Sequence, residues 1–476
     1  MTPSLSMNAF EERPAAPSPL AETWIDWVVN EHTVRALPIL SAPKEAGLQN
    51  WKDPKVGWGV VLPENEGLSE RNRALALDAP SPLQKLIRQR SGVVLRYRED
   101  LFPERIRRYF QEGEAKDLAL TGSTRGIGRE ELPYYLLIYA TPDVIPWSVQ
   151  YILSGSSFTG RLFLDDASLE RYVGHLLTDW DSSTTTVPSA PVVWSVDFGA
   201  PDITSLMRKV IAEPLCKAYQ SDKELQPICL FGASATHEEL QKILAKLHPK
   251  MIVTTSHGCT SPVEATKVDE LRGALGLPVD ANRSTLKVKG LLEAWQPDGA
   301  LWYAHACCSA GADRDTNFEG LFEAGSANDG LLKSVARAGS LIAPLPMALL
   351  TAEKPARAFI GHVEPTFDWT LRDPETGQSL TSELYGALYT RLFNEVRSPV
   401  GHAFSSLQRD AANLLVKWVS ACKGISAAKS ADERAEKRSM ALRLQLGGLD
   451  RQGCVIIGDP TVTIPIFTQP PPESTA

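Results

Sequence analysis

The sequence predicts an α/β protein built on a mostly parallel sheet sandwiched by helices, with an N-terminal mixed appendage. Three observations predict it. From residue 134 onward, short apolar runs rich in Ile, Val, Leu and Tyr recur along the chain. Helical stretches fall between them, as strand, crossover and strand require. The runs are nearly continuous rather than alternating, which marks strands covered on both faces.

In chain order, residues 1–20 are rich in Pro, Ser and Ala and are expected to be disordered. Residues 21–130 read as an appendage of unknown role. Within it Trp24, Trp27, Val28 and Leu37 have helical spacing, and SGVVLRYRED reads as a strand followed by a charged helix through RIRRYFQ. The main strands are expected in YYLLIYA (134–140), PVVWSVDF (191–198), PICLFGA (227–233), KMIVTTSHG (250–258), ALWYAHACC (300–308), SLIAPLP (340–346), RAFIGHVE (357–364) and CVIIGDP (454–460). ITSLMRKVIAEPLCKAY, HEELQKILAKL and two long stretches starting at His402 and Ser430 are the expected helices, and residues 468–476 form a loose Pro-rich tail.

Composition excludes several function classes. At 476 residues the chain has room for more than one domain, and 43% hydrophobic with 22% charged residues is ordinary globular composition. A formal charge of −8 argues against nucleic acid as the main partner, because phosphate binding needs a basic face. No apolar stretch approaches the ~18 residues a membrane helix needs, and residues 1–22 lack the pattern of a signal peptide. The seven cysteines (216, 229, 259, 307, 308, 422, 454) are odd in number and irregularly spaced, which predicts reduced thiols and a cytoplasmic location.

Two strand exits carry the chemistry. MIVTTSHG places His257 and Gly258 where one buried strand ends, and ALWYAHACCSAG places Cys307 where another ends. If these strands are neighbours, ~4.8 Å apart, an imidazole and a thiol reach the same edge, where ligands gather in parallel sheets. Cysteine attacks as thiolate, and imidazole manages the protons. Glycine at 258 permits close backbone approach, so the Gly258 and Cys307 N–H groups are candidates to hold an oxyanion. The small residues Ser309, Ala310 and Gly311 are expected to leave the thiol uncovered. Alternation puts His305 and Cys307 on one side and Cys308 on the other, so only one thiol faces the site.

These blocks resemble the caspase-like clan of cysteine proteases (clan CD), in which apolar residues end in His-Gly and, further on, in Ala-Cys. Here they are IVTTSHG and LWYAHAC, with His257 and Cys307 50 residues apart. The caspase signature Q-A-C-[RQG]-G is not met, since the chain has His305-Ala306-Cys307-Cys308-Ser309. The CHAT-type members are nearer, with Ala-Cys followed by Ser and Gly and a final strand ending like Gly458-Asp459-Pro460. The resemblance implies a peptidase domain over 131–467, with 131–230 a non-catalytic half and 231–467 the catalytic half. It selects Cys307 as nucleophile, with Cys308 as the alternative, and His257 as the base. It puts His305 in the pocket for the residue before the scissile bond, where a basic preference would draw on Asp313 or Asp315. It implies a protein substrate, an activating or regulatory protein, no cofactor and no metal, and a role in bacterial defence or programmed death.

Other readings compete. A silent caspase-like binding module or scaffold would show the same blocks without reactivity. Zinc on His257, Cys259, His305, Cys307 and Cys308 lacks ligand spacing. LALTGSTRGIG at 118–128 mimics a dinucleotide loop, but no Tyr-x-x-x-Lys follows and Pro133 leaves no room for the helix, so it reads as a polar loop rather than an NAD(P) site. His362 is either support for the site or a core residue. His402, Trp295, Trp302 and Trp369 read as structural.

Overall fold

The computed structural model describes residues 4–29, 47–183, 190–393 and 397–465. The expected α/β class holds, with a large, mostly parallel sheet flanked by helices. The central sheet has twelve strands. They are β1 (Trp58–Pro63), β2 (Val93–Tyr97), β3 (Arg105–Arg108), β4 (Lys116–Ala119), β5 (Tyr135–Tyr139), β6 (Phe158–Leu162), β7 (Val192–Ser195), β8 (Ile228–Phe231), β9 (Met251–Thr255), β10 (Leu301–His305), β11 (Ala358–His362) and β12 (Cys454–Gly458). Their spatial order is β8-β7-β9-β10-β11-β12-β6-β5-β1-β2-β3-β4. All neighbours are parallel except β11 with β12, β2 with β3, and β3 with β4.

Within 21–130, strands β1 to β4 form the mixed edge of this sheet: apolar β1 pairs in parallel with β5, and β2 in parallel with β1. The expected helix through RIRRYFQ is strand β3: Arg107 forms a forked ion pair with Asp117 of β4, and Ile106 alone faces the core. The strands within 58–162 and those within 192–458 meet at the β12–β6 pair, the seam of one continuous sheet. Asp459 sutures that seam. Its buried carboxylate accepts from Trp58 Nε1 at 3.1 Å and pairs with Arg90 at 3.0 Å.

Most expected strands form at the expected places. SLIAPLP does not: only Leu341–Ile342 is extended, and Pro344 opens a helix to Thr351, where a proline in the first turn leaves no amide unmet. The helices at 203–221 and His237–Leu247 form as read, the first through a π-helical turn at Arg208–Ala212. The long helices Val400–Ser426 and Ala431–Gln452 pack on one another. The loop after β4 is polar and irregular, and no helix follows it before Pro133. Cys216 and Cys229 form a disulfide, which departs from the expectation of seven reduced thiols. None of the described helices is long and apolar enough to cross a membrane. Residues 30–46, including Leu37, and the tail at 468–476 lie outside the described residues.

Residues 4–20, expected to be disordered, are laid into the fold. Leu5, Met7, Ala9 and Phe10 are all buried, giving this segment an apolar anchor that its Pro and Ser content masks.

Candidate active site

β9 and β10 are neighbours, with Thr255 opposite His305. Both leave the sheet at the same edge, so the two residues following each, which end in His257 and Cys307, emerge side by side. Gly258 shows how closely. A Cβ built on it would stand 1.9 Å from the Cys307 carbonyl oxygen and 3.1 Å from the Cys307 nitrogen. Only glycine lets the two backbones meet there.

The turn carrying the thiol is pinned to the exit of β11. Cys308 N–H donates to Glu364 O and Ala310 N–H to His362 O, both at 2.9 Å. Ser309 Oγ donates to Ala304 O at 3.1 Å and accepts the His362 N–H at 2.9 Å. Cys308 sits at φ +56°, the left-handed region that turns the chain sharply after Cys307. Cys307 Sγ accepts the Thr366 N–H at 3.2 Å. Among the described residues Cys308 Sγ has no such donor, and burial followed by the charges of its neighbours pushes its thiol far up.

Sequence reasoning missed Asp202. It caps the helix Ile203–Met207, accepting Thr204 N–H at 2.9 Å, and the same carboxylate faces His257 Nε2 at 3.0 and 3.1 Å. Burial raises its pKa, but the bonds from His257 and Thr204 outweigh burial and hold it below the usual carboxylate range. The His257 ring stacks on Phe198 at 5.8 Å and 14°, leaving Nδ1 buried without a hydrogen-bond partner. An Asp before I-T-S is a visible N-cap signal, but nothing local ties it to a histidine 55 residues away.

No hydrogen bond joins His257 to Cys307 among the described residues, and both side chains are fully buried. Burial pushes the Cys307 thiol far up, against the Thr366 N–H. The small residues after Cys307 therefore do not uncover it: Gly311 lies against the Leu341 carbonyl, and Leu5, Met7 and Ala9 share an apolar cluster with Cys307 and Cys308.

His305 is enclosed beneath the edge. Its Nδ1 meets Tyr303 Oη at 2.8 Å, and its ring lies edge-on to His362 at 4.6 Å. Burial drives both imidazoles below their ordinary pKa, His362 to about 4. Asp313 is buried and accepts from Ser340 Oγ at 2.7 Å, whereas Asp315 is exposed. The carboxyl beside Asp313 is that of Glu364, which accepts Asn317 Nδ2 at 2.9 Å and which burial pushes up to about 8. No cluster of His, Cys, Asp or Glu suited to a metal occurs among the described residues. His402 opens the long helix beside Ser398, and Trp302 donates to Thr254 Oγ1 at 3.0 Å, in keeping with structural roles.

No family model matches the chain, and no curated protein matches it. Among solved structures, one described as "Structure of Protease" aligns over 85% of this chain and 78% of its own length, at 11% identity and a TM-score of 0.41. A likeness of that size says nothing about activity.

Proposed function

We propose that the protein is a caspase-like cysteine endopeptidase of the CHAT type, acting on a protein substrate without a cofactor. Cys307 attacks the scissile carbonyl carbon and forms a thioester. His257 takes the thiol proton and returns it to the leaving amine, and water then releases the acyl group. Asp202 holds the Nε2–H, which leaves Nδ1 as the free base and stabilises the imidazolium when it forms. The Gly258 N–H bonds the developing oxyanion. A role in defence or programmed death follows from the family resemblance.

The observation that carries this reading is the Gly258 contact. Two strand exits are pressed together so that a histidine paired to a carboxylate and a cysteine with its own N–H donor share one edge. Peptide-library cleavage mapped by mass spectrometry tests it. Cys307→Ala abolishes cleavage and Cys308→Ala retains it; the opposite result reassigns the nucleophile. The burial of Cys307 favours a second reading, a silent binding module, in which no peptide is cut by either chain under any activating condition.

A further inference from the structure

We infer that the segment Leu5–Phe10 occupies the groove in which an extended polypeptide substrate lies, so that the chain holds its own site closed until this strand is displaced. The inference rests on the peptidase reading above and adds to it the substrate's conformation and the site's regulation.

The segment is bound along one edge by two backbone stretches in succession, while its other edge pairs with the chain's own return at 13–18. Toward its end Ala9 pairs in parallel with Gly258 and Phe10 with Cys259, and Thr260 N–H donates to Phe10 O at 3.2 Å. Toward its start Asn8 N–H donates to Thr366 O at 2.9 Å, and Met7 bridges Phe367. Ser6 N–H reaches Asp368 Oδ1 at 3.2 Å, and Asp368 N–H returns to Ser6 O. The two stretches are the walls of the candidate site. Gly258 lies against the Cys307 backbone, and Thr366 donates its N–H to Cys307 Sγ. A strand that runs along both therefore passes the turn that carries the thiol.

The register is that of a bound peptide. In a parallel ladder where Thr260 N–H serves Phe10 O, the preceding inward donor of that edge is the Gly258 N–H, and it faces the Asn8 carbonyl. The group assigned to hold an oxyanion is thus aimed at a backbone carbonyl already in place. Side chains complete the fit: Phe10 lies 6.1 Å from the His257 ring, and Met7 and Ala9 are fully buried in the cluster containing Cys307. Backbone bonds along one edge with pockets for alternate side chains are how an extended peptide is taken as an added strand. An incoming polypeptide needs the same bonds, so it competes with Leu5–Phe10 for them.

The test uses the full chain and the alkylation rate of each cysteine by iodoacetamide, read by mass spectrometry. In the unaltered chain Cys307 and the core residue Cys454 both label slowly. The double substitution Met7→Asp, Ala9→Asp puts two carboxylates where none can be solvated, and labelling of Cys307 rises about tenfold or more while Cys454 stays slow. A synthetic peptide of residues 4–14, added to that variant, restores protection. Fast labelling of Cys307 in the unaltered chain, or an unchanged rate in a folded variant, overturns the inference. If the double variant unfolds, shown by labelling of Cys454 as well, Met7→Ala decides: a rise confined to Cys307 supports the inference, and no rise overturns it. Labelling needs no hydrolysis. A released, labelled Cys307 in a chain that cuts no peptide therefore sinks the peptidase reading and leaves the segment's role standing.

Discussion

Gly258→Ala measures the contact on which the candidate site depends. The added Cβ would meet the Cys307 carbonyl oxygen at 1.9 Å, the Cys307 carbonyl carbon at 2.9 Å and its nitrogen at 3.1 Å. Non-bonded carbons rest roughly 3.5–4.0 Å apart, so the two exits must part by about 1.5 Å. Neither wall yields cheaply, because both are backbone and Ser256 N–H is bonded to His305 O across the gap. Overpacking of about 1–3 kcal/mol and a weakened hydrogen bond of about 1 kcal/mol together predict a loss of roughly 2–4 kcal/mol. Gly174→Ala is the control. This glycine is exposed in the helix Asp166–Leu177 with nothing within 4 Å of a Cβ, so alanine there stabilises by about 0.5–1 kcal/mol. Urea unfolding of the three chains gives the comparison. A Gly258→Ala chain within about 0.5 kcal/mol of the parent refutes the placement of the two strand exits against each other.

Two further predictions concern carboxyls around the candidate site. Asp202→Asn leaves His257 without a carboxylate and lowers peptide cleavage about 10²–10⁴-fold, a typical range for an acid–base contribution, with the helix content unchanged by circular dichroism. Because the Asp202 pKa is held below its ordinary value, its share of stability is full above about pH 4 and is lost as pH falls through the lowered value. The acid limb of the stability profile is therefore shallower in the variant. Glu364 behaves in the opposite sense. Burial raises it from 4.5 to about 8, so the folded chain holds a proton the unfolded chain has lost, and stability falls as pH rises between those values. Asp450, raised by burial to about 7, adds to the same slope, so Glu364→Gln reduces the slope without erasing it. An unaltered slope in Glu364→Gln shows that this carboxyl is solvated.

What was legible in the sequence follows from how local each signal is. β5, β7 and β9 to β12 announce themselves because a strand covered on both faces must be apolar throughout, and the exits after β9 and β10 are written in the same runs; the edge strand β8 is apolar as well, though only half-buried. β3 was misread since its four residues include three arginines, and only the Asp117 partner on β4 makes an extended form favourable. The segment at Leu5–Phe10 was misread for a related reason: SLSMNAF has too few apolar residues to make a core by itself, yet every one of them is buried once the walls at 258–260 and 366–368 exist. Asp202 and Glu364 lie far along the chain from the residues they serve, so no spacing rule reaches them.

The buried thiol and the vacant imidazole nitrogen belong to one argument. A nucleophile needs a low pKa and access, and Cys307 has neither in this conformation, while His257 is held by Asp202 and Phe198 with its Nδ1 unpartnered among the described residues. The proposed base is thus in place and the proposed nucleophile is covered. The covering piece is held by backbone bonds to 258–260 and 366–368 and by the buried side chains of Leu5, Met7, Ala9 and Phe10. Removing it would return solvent to the sulfur and lower the desolvation that raises its pKa, without moving a strand of the sheet. On the proposed reading, access and thiolate formation depend on the same displacement, and a single event that frees Leu5–Phe10 supplies both.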